Sequence, residues 1–239
     1  MNAAIDIYAG VDPRDVPIYR VNEAARYLSL PERTLRSWVF GQPDHFQRVI
    51  VAADEDARLL SFTNLVEAHV LSSLRGKHQI PLPRVRRAIK YLMQSTGAKR
   101  PLAEIPLMTD GAEIFVDAYR GRAISASSEG QYSLMEVVSA YLQRIERDPA
   151  AGLTRLYPMT RKRELPSASV SEQPKVVVID PRISFGRPIL ARSNIRTSLI
   201  AERWQAGESV EDLAQDYGRP SFEIQEAIRC ETPIDPIAA

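Results

Sequence analysis

The sequence predicts an α+β protein that is mostly α-helical, and three observations lead to this class. Apolar residues at helical spacing in residues 21–41 and again in 210–228 indicate two pairs of short helices. Short β-rich runs between the pairs, such as residues 46–51 and 176–179, indicate a few small strands. The stretch from Tyr157 to Lys175 is charged, contains proline and serine, lacks periodicity and is typical of a linker.

The first helix pair lies in VNEAARYLSLPERTLRSWVFG, residues 21–41. From Val21 to Leu28 the apolar residues recur at i, i+3, i+4 and i+7, which places them on one face of a helix. Pro31 follows a short break and suits a first helical turn, so a second helix is expected to begin near Glu32. Two short helices joined by about three residues form a helix-turn-helix.

The polar residues of the second helix are expected to face away from this apolar seam. Guanidinium groups suit phosphates and guanine edges, and hydroxyls suit phosphates, so these residues are candidates for contacting DNA. Helix pairs with an apolar seam also occur in α-rich domains that bind no DNA, and the spacing alone leaves both interpretations open. The candidate residues are Arg33, Thr34, Arg36 and Ser37.

The segments after the first helix pair favour DNA binding. Two β-rich runs around the acidic tip AADEDA predict a hairpin, which makes the unit a winged helix-turn-helix. Two helices follow, capped by Ser61 or Thr63 and ended by Gly97, with no acidic residue between Glu67 and Glu104. Basic residues in these segments are either solvated or in contact with phosphates. For those on the two helices, which follow the predicted DNA-reading helix, phosphate contact is favoured. The candidates are Arg48 and Arg58 on the hairpin, for which both interpretations stay open, and Lys77, Arg84, Arg86 and Arg87 after it.

The charge distribution separates the ends of the chain. The net charge of the 239 residues is only +1, but residues 1–100 hold 15 Lys and Arg against 10 Asp and Glu. Residues 176–239 hold 7 against 10. The N-terminal unit is therefore the one whose charge suits a polyanion.

The sequence divides into four predicted segments. Residues 1–100 form the DNA-binding unit, and 101–156 form a β-rich segment, read as a hairpin, followed by an amphipathic helix from Ser133 to about Asp148. The apolar stripe of that helix is either core or a self-associating surface. Residues 157–175 form the linker, and 176–239 form a small helical domain that begins with a buried strand at Val176–Ile179.

The C-terminal domain repeats the first helix pair at an offset of 189 residues, with Pro220 in the place of Pro31. Ser209 and Asp212 match a helix-capping pattern, which strengthens the prediction of a second helix-turn-helix. Its outward positions carry carboxylates and a phenyl ring, which a phosphate backbone would repel or leave unused. They either bind a protein or, if the ring packs inward, belong to a structural module. The partner-binding candidates are Phe222, Glu223 and Glu226.

Two stretches resemble known families. EAARYLSLPERTLRSW, SFTNLVEAHVLSSLR and VRRAIKYL resemble a MerR-like winged helix-turn-helix. The C-terminal IDPRISFGRPIL through SVEDLAQDYGRPSFEIQEAI resembles the small helical domain of VapB-like antitoxins from bacterial toxin-antitoxin pairs. The resemblance implies a type II antitoxin that binds double-stranded promoter DNA of its own operon and masks a toxin, commonly a PIN-like ribonuclease. Arginines of the basic linker, Arg161 and Arg163, could then reach the toxin's carboxylates.

A homodimer is expected, because a two-fold protein matches palindromic half-sites. The alternative is a MerR-type ligand-responsive regulator without a toxin, with an effector pocket in residues 101–150. An enzyme is the weakest class: Asp180 sits at a strand end, but the sequence holds no nucleophile–base spacing, phosphate loop or metal cluster. We therefore expect no catalytic residue, metal or cofactor.

The sequence also bears on the compartment. A single cysteine, Cys230, excludes an internal disulfide framework. The N-terminus lacks the pattern of a signal peptide, and no apolar run is long enough for a membrane span. A reduced, cytoplasmic protein without membrane association is expected.

Overall fold

A computed structural model describes residues 8, 10–41, 47–75, 81–104, 139–150, 152–161 and 173–232 of the chain. The described structure mixes α and β elements, and helices make up about half of it. Three small two-stranded antiparallel sheets accompany the helices in these ranges. None of the helices in this part of the chain is long and apolar enough to cross a membrane.

The predicted helix pair forms at the N-terminal end. Strand β1 (Tyr19–Arg20) runs directly into α1 (Val21–Tyr27), and α2 (Glu32–Phe40) follows a tight turn. In the turn, Ser29 adopts a left-handed φ of 51° and the Leu30 amide donates to the Ala25 carbonyl at 2.8 Å. Pro31 precedes α2 in an extended conformation, so the predicted start at Glu32 is confirmed.

The predicted wing is wrong in its strand pairing. Strand β2 (Leu59–Leu60) pairs with β1 rather than with residues 47–51. The predicted acidic tip does form a turn, which the backbones of Asp54 and Leu59 close with two hydrogen bonds of 3.1 and 2.9 Å. The amides of Val49 and Ile50 both donate to the Trp38 carbonyl, so this arm is tied to the end of α2 instead of to a second strand.

Three helices complete the N-terminal unit: α3 (Phe62–Arg75), α4 (Leu82–Thr96) and the short α5 (Pro101–Glu104). The Ser61 hydroxyl accepts from the Asn64 amide at 3.3 Å, so Ser61 is the cap of α3. Gly97 ends α4 in a left-handed conformation, as predicted. α5 corrects the prediction that residues from 101 onward are β-rich, while residues 105–138 lie outside the described ranges.

The amphipathic helix of the middle segment ends earlier than predicted. Residues 139–142 are helical, but Ile145–Asp148 is strand β3, which pairs with β4 (Gly152–Leu156) in a hairpin. Between helix and strand lies Arg144, whose side chain is among the most buried large ones in the molecule. Its amide donates to the Tyr141 carbonyl at 3.1 Å, which closes a turn there.

Arg144 also holds both described ends of the predicted linker. Its guanidinium donates to carbonyl oxygens of Tyr157 and Pro158 on one side and of Gln173 and Pro174 on the other, at 2.8 to 3.1 Å. Residues 157–158 and 173–174 are therefore held against the body of the protein. Residues 162–172 lie outside the described ranges, so the structure does not test the linker prediction there.

The C-terminal unit contains the second helix pair. Strands β5 (Val177–Val178) and β6 (Ile189–Leu190) pair with each other, and a 3-10 turn at Ser184–Gly186 lies between them. Three helices follow: α6 (Thr197–Gln205), α7 (Val210–Tyr217) and α8 (Ser221–Glu231). The Ser209 hydroxyl accepts from the Asp212 amide at 3.0 Å, which confirms the predicted cap of α7.

One apolar core joins the two ends of the chain. Tyr19 and Leu35 of the N-terminal unit belong to the same buried cluster as Leu156, Ile179 and Cys230. A smaller cluster lies within the C-terminal helices. Helix α1 packs against α8, so the first helix pair rests on the second.

Candidate nucleic-acid interface

Helix α2 is strongly amphipathic. Leu35, Trp38 and Val39 are at most 2 % exposed and share one face because they are spaced i, i+3 and i+4. Arg33 and Arg36 are exposed on the remaining surface, as the sequence predicts. The helix therefore presents two guanidinium groups to solvent from a firmly anchored element.

The two arginines differ in their partners. Arg36 forms an ion pair with Glu32 one turn earlier, and both side chains are close to half exposed. An exposed pair of this spacing contributes only about 0.3–0.5 kcal/mol, so Arg36 can exchange it for a phosphate at little cost. In the described part of the chain, no carboxylate lies within ion-pairing distance of Arg33.

The hydroxyl of Ser37 on α2 is less available than predicted. The Ser37 hydroxyl donates to the Thr34 carbonyl at 2.8 Å, and both residues are half-buried. A hydroxyl that donates within the helix can still accept a hydrogen bond, but a phosphate oxygen requires a donor. Of the four α2 candidates, the arginines are the better placed for a phosphate.

Arg48 and Arg58 lie on the arm and the turn after α2. Arg48 pairs with Glu55, and the Arg58 guanidinium lies 5.3 Å from the centre of the Phe40 ring at the end of α2. The turn also carries Asp54 and exposed acidic neighbours. Their negative charge opposes a phosphate backbone, so this turn is a poorer DNA contact than α2.

The basic run divides between described and undescribed residues. Arg87 is exposed on α4 and Arg86 is half-buried there. Lys77 and the side chain of Arg84 lie outside the described residues. The structure thus places Arg33 and Arg36 on α2 and Arg58 beside the Phe40 ring at its end. Arg48 lies on the arm after α2, and Arg86 and Arg87 lie on the separate helix α4.

The partner-binding candidates of the second helix pair differ in their exposure to solvent. Phe222 is 47 % exposed, so it does not pack inward. Glu223 is largely covered and pairs with Arg219 at 2.6 Å. The expectation that Glu226 faces outward is wrong, because its side chain is fully buried.

Glu226 binds groups of the protein itself. It accepts from Arg229 at 3.1 Å, from the Thr160 hydroxyl and from the Arg161 guanidinium. Arg161 is thereby engaged inside the protein instead of being presented to a partner, and Arg163 lies outside the described residues. The internal repeat placed Glu226 on an outer face, but residues 160–161 cover that face of α8.

The sequence patterns did not predict the contacts that β1 and α1 make with the C-terminal unit. The buried Tyr19 hydroxyl donates to the Gly186 carbonyl at 2.7 Å, and burial raises the pKa of this phenol so that it stays a neutral donor. Ion pairs of 2.8 Å join Glu23 to Arg187 and Arg26 to Glu231. These contacts fix the first helix of the DNA-binding unit against the C-terminal unit.

Asp180, the catalytic candidate considered for an enzyme, has structural partners. Its carboxylate accepts from the Arg155 Nε at 3.0 Å and from the Arg182 amide at 2.9 Å. Within the described residues, no group of three or more His, Cys, Asp or Glu side chains could hold a metal ion.

Comparison with known proteins decides the family. Residues 17–89 match the family described as "Putative DNA-binding HTH domain", and residues 177–229 match the one described as "Protein of unknown function (DUF433)". The protein named "Putative antitoxin VapB45" of Mycobacterium tuberculosis is 30% identical over 237 residues, covering 90% of this chain and 93% of that protein. The chain belongs to the VapB45 family.

Further relatives extend the similarity over the same length. The "Uncharacterized protein Rv2308" of Mycobacterium tuberculosis is 25% identical, with 95% of this chain and 94% of that protein covered. The X-ray crystal structure of Rv2018 from that organism has a TM-score of 0.67 at 27% identity, with 89% of this chain and 98% of that chain covered. This VapB45-family chain therefore carries a helix-turn-helix DNA-binding domain, and the matches support an antitoxin-like role.

Proposed function

We propose that this protein is an antitoxin that binds the promoter of its own operon and neutralises a partner toxin. The observation that carries the proposal is helix α2, which lies within the matched DNA-binding region and exposes Arg33 and Arg36 opposite a buried face. Exposed guanidinium groups on such a helix can reach guanine edges and phosphates of the major groove.

The fold and assembly of the DNA-binding unit belong to the same proposal. We assign it a MerR-like form in which α1 and α2 are the helix-turn-helix and the turn at residues 54–59 occupies the place of a wing. The protein acts as a homodimer, because two copies related by a two-fold axis match two half-sites of a palindromic operator.

The toxin is proposed to be a PIN-like ribonuclease that the C-terminal unit recognises. Phe222 is an exposed aromatic ring beside charged residues, a pattern common in the centre of protein interfaces. Glu226 and Arg161 are removed from the proposed contact surface because they bind each other inside the protein.

The DNA proposal is tested by fluorescence anisotropy with a labelled duplex from upstream of the protein's own gene. Arg36→Ala should weaken binding about tenfold, since it removes a charge-assisted hydrogen bond. Glu32→Gln should leave binding equal or tighter, because it releases Arg36 from its ion pair. Arg196→Ala, an exposed arginine of the C-terminal unit, is the matched control and should change nothing. Unchanged binding by Arg36→Ala contradicts the assignment.

The toxin proposal is tested by purifying the tagged protein from its native host after nuclease treatment. A small ribonuclease should remain bound to the wild type and be lost from Phe222→Ala. Leu199→Ala, which removes an equally exposed apolar side chain from α6, is the control and should retain it. Recovery of promoter DNA without any ribonuclease would instead indicate a transcriptional regulator that has no toxin.

A further inference from the structure

A groove runs between the β3–β4 hairpin and the β5–β6 sheet, away from α2. Its main cavity has a volume of about 760 Å³, and its apolar lining includes the half-buried Ile183. A second cavity of about 350 Å³ continues toward Glu223 at the start of α8 and shares Lys175 and Arg192 with the first. Because the two cavities adjoin at these residues, together they extend from the β3–β4 hairpin to the start of α8.

Most charges along this groove neutralise one another. Arg155 pairs with Asp180 at 3.0 Å and with Glu146 at 3.3 Å. At the other end, Arg219 pairs with Glu223 at 2.6 Å. The two cations at the junction of the cavities, Lys175 and Arg192, are not neutralised in this way.

Lys175 and Arg192 have no carboxylate partner within the described residues. The Lys175 ammonium donates to the Gln143 carbonyl at 2.7 Å and lies 5.3 Å from the centre of the Tyr157 ring. An ammonium carries three donors and a guanidinium five, so both side chains keep donors for an anion. The junction of the groove is therefore positive.

Arg192 is also held in a backbone conformation that its side chain does not favour. Its φ is 61°, in the left-handed region that glycine and asparagine adopt more readily than arginine. It lies in a turn that the Leu190 amide closes by donating to the Ile195 carbonyl at 2.9 Å. Residues kept in such conformations cluster at binding sites. The presence of arginine rather than glycine at this position is therefore consistent with a role in binding.

We propose that this groove binds an acidic, extended segment of a partner protein. The carboxylates of the segment pair with Lys175 and Arg192, and its alternate apolar side chains lie on the half-buried Ile183 and Val176. Two joined cavities suit an extended chain better than a compact small molecule. The inference deepens the proposed function, since it states which chemistry of the partner toxin the C-terminal unit recognises.

The probe is a fluorescein-labelled eight-residue peptide of alternating Glu and Leu, titrated with the full chain in the absence of DNA. The wild type should bind it about tenfold more tightly than the same peptide with Gln in place of Glu. Arg192→Gly should weaken binding of the acidic peptide about tenfold, although glycine suits the φ of this position and keeps the fold. Lys175→Gln should act similarly, and Arg196→Ala, an exposed arginine that lines neither cavity, should not.

Three results would overturn the inference: equal affinity for the two peptides, unchanged affinity in Arg192→Gly, or displacement of the peptide by an equal concentration of glutarate. The last result would identify a site for small organic anions rather than for a peptide chain. These experiments test the groove separately from the proposed DNA binding. Peptide binding that depends on Arg192 supports the groove even if the chain binds no promoter DNA, and promoter binding without peptide binding rejects the groove alone.

Discussion

At the scale of single residues, Glu226 is the most deeply buried carboxylate among the glutamates of α8. Its buried carboxylate accepts from Arg229 on its own helix and from Thr160 and Arg161 at the edge of the predicted linker. Glu226→Ala should lower the free energy of unfolding by about 3 kcal/mol, because two guanidinium groups lose a buried counter-ion. Urea denaturation measures this loss.

Glu223→Ala is the matched comparison on the same helix. Its pair with Arg219 lies closer to solvent, so its loss should cost less than about 1 kcal/mol. Equal losses in the two variants would show that burial of Glu226 does not set its contribution.

Glu67 gives a prediction about pH. Burial raises the pKa of this carboxyl from 4.5 to about 7, although Arg100 and a hydrogen bond from Asn64 lower it. The folded chain then holds the proton more tightly than the unfolded chain, so this contribution to stability is complete below pH 4.5 and is lost as the pH rises through about 7.

Glu67→Gln mimics the protonated form and should remove this dependence. Relative to the wild type, it should gain about 3 kcal/mol in free energy of unfolding between pH 4 and pH 8, as measured by urea denaturation at each pH. A difference between the two proteins that does not change with pH would exclude the raised pKa.

At the scale of elements, the end of α7 tests local backbone conformation alone. Gly218 adopts φ 59° and ψ 37° at this helix end, and a Cβ added there would meet no other atom within 4 Å. Gly218→Ala should therefore lower the free energy of unfolding by about 1 kcal/mol for conformational reasons only. No loss in thermal or urea unfolding would contradict the left-handed assignment.

Elements specified by neighbouring residues could be predicted from the sequence. The start of α2 after Pro31, the end of α4 at Gly97 and the cap of α7 at Ser209 depend on residues within one turn. The wing and the middle helix could not be predicted. β2 pairs with β1, which lies about forty residues earlier, and Arg144 ends the helix by binding carbonyls up to thirty residues away.

The same distinction applies to the candidate sites. Helical periodicity separates Arg33 and Arg36 from the buried face of α2, so their exposure could be predicted. Glu226 could not, because residues 160–161 cover it only in the folded protein. Lys175 and Arg192 are seventeen residues apart, and no local spacing pattern joins them.

At the scale of the whole molecule, the DNA-binding and C-terminal units share one core, so they should unfold together. Tyr19→Phe removes the hydrogen bond to Gly186 and should lower the free energy of this single transition by about 1–2 kcal/mol. Fluorescence of Trp38, read in a Trp204→Phe background, reports on the N-terminal unit, and circular dichroism reports on all helices. Different midpoints by the two probes would mean that the units unfold separately.

The rigid attachment of α1 to the C-terminal unit also bears on regulation. Glu23 and Arg26 connect α1 to Arg187 and Glu231, so two ion pairs join the helix-turn-helix to the C-terminal unit. If the proposed partner shifts the C-terminal unit, we expect DNA affinity and partner affinity to be coupled through these ion pairs.

The measurement that decides whether α2 meets DNA is the salt dependence of promoter affinity. For the wild type and the double variant Arg33→Ala/Arg36→Ala, the slope of log affinity against log salt concentration gives the number of phosphates neutralised. If both arginines contact phosphates, the slope should become shallower by about 1.8, and the affinity at low salt should fall. A double variant with the wild-type slope and affinity would contradict a role for α2 in DNA binding.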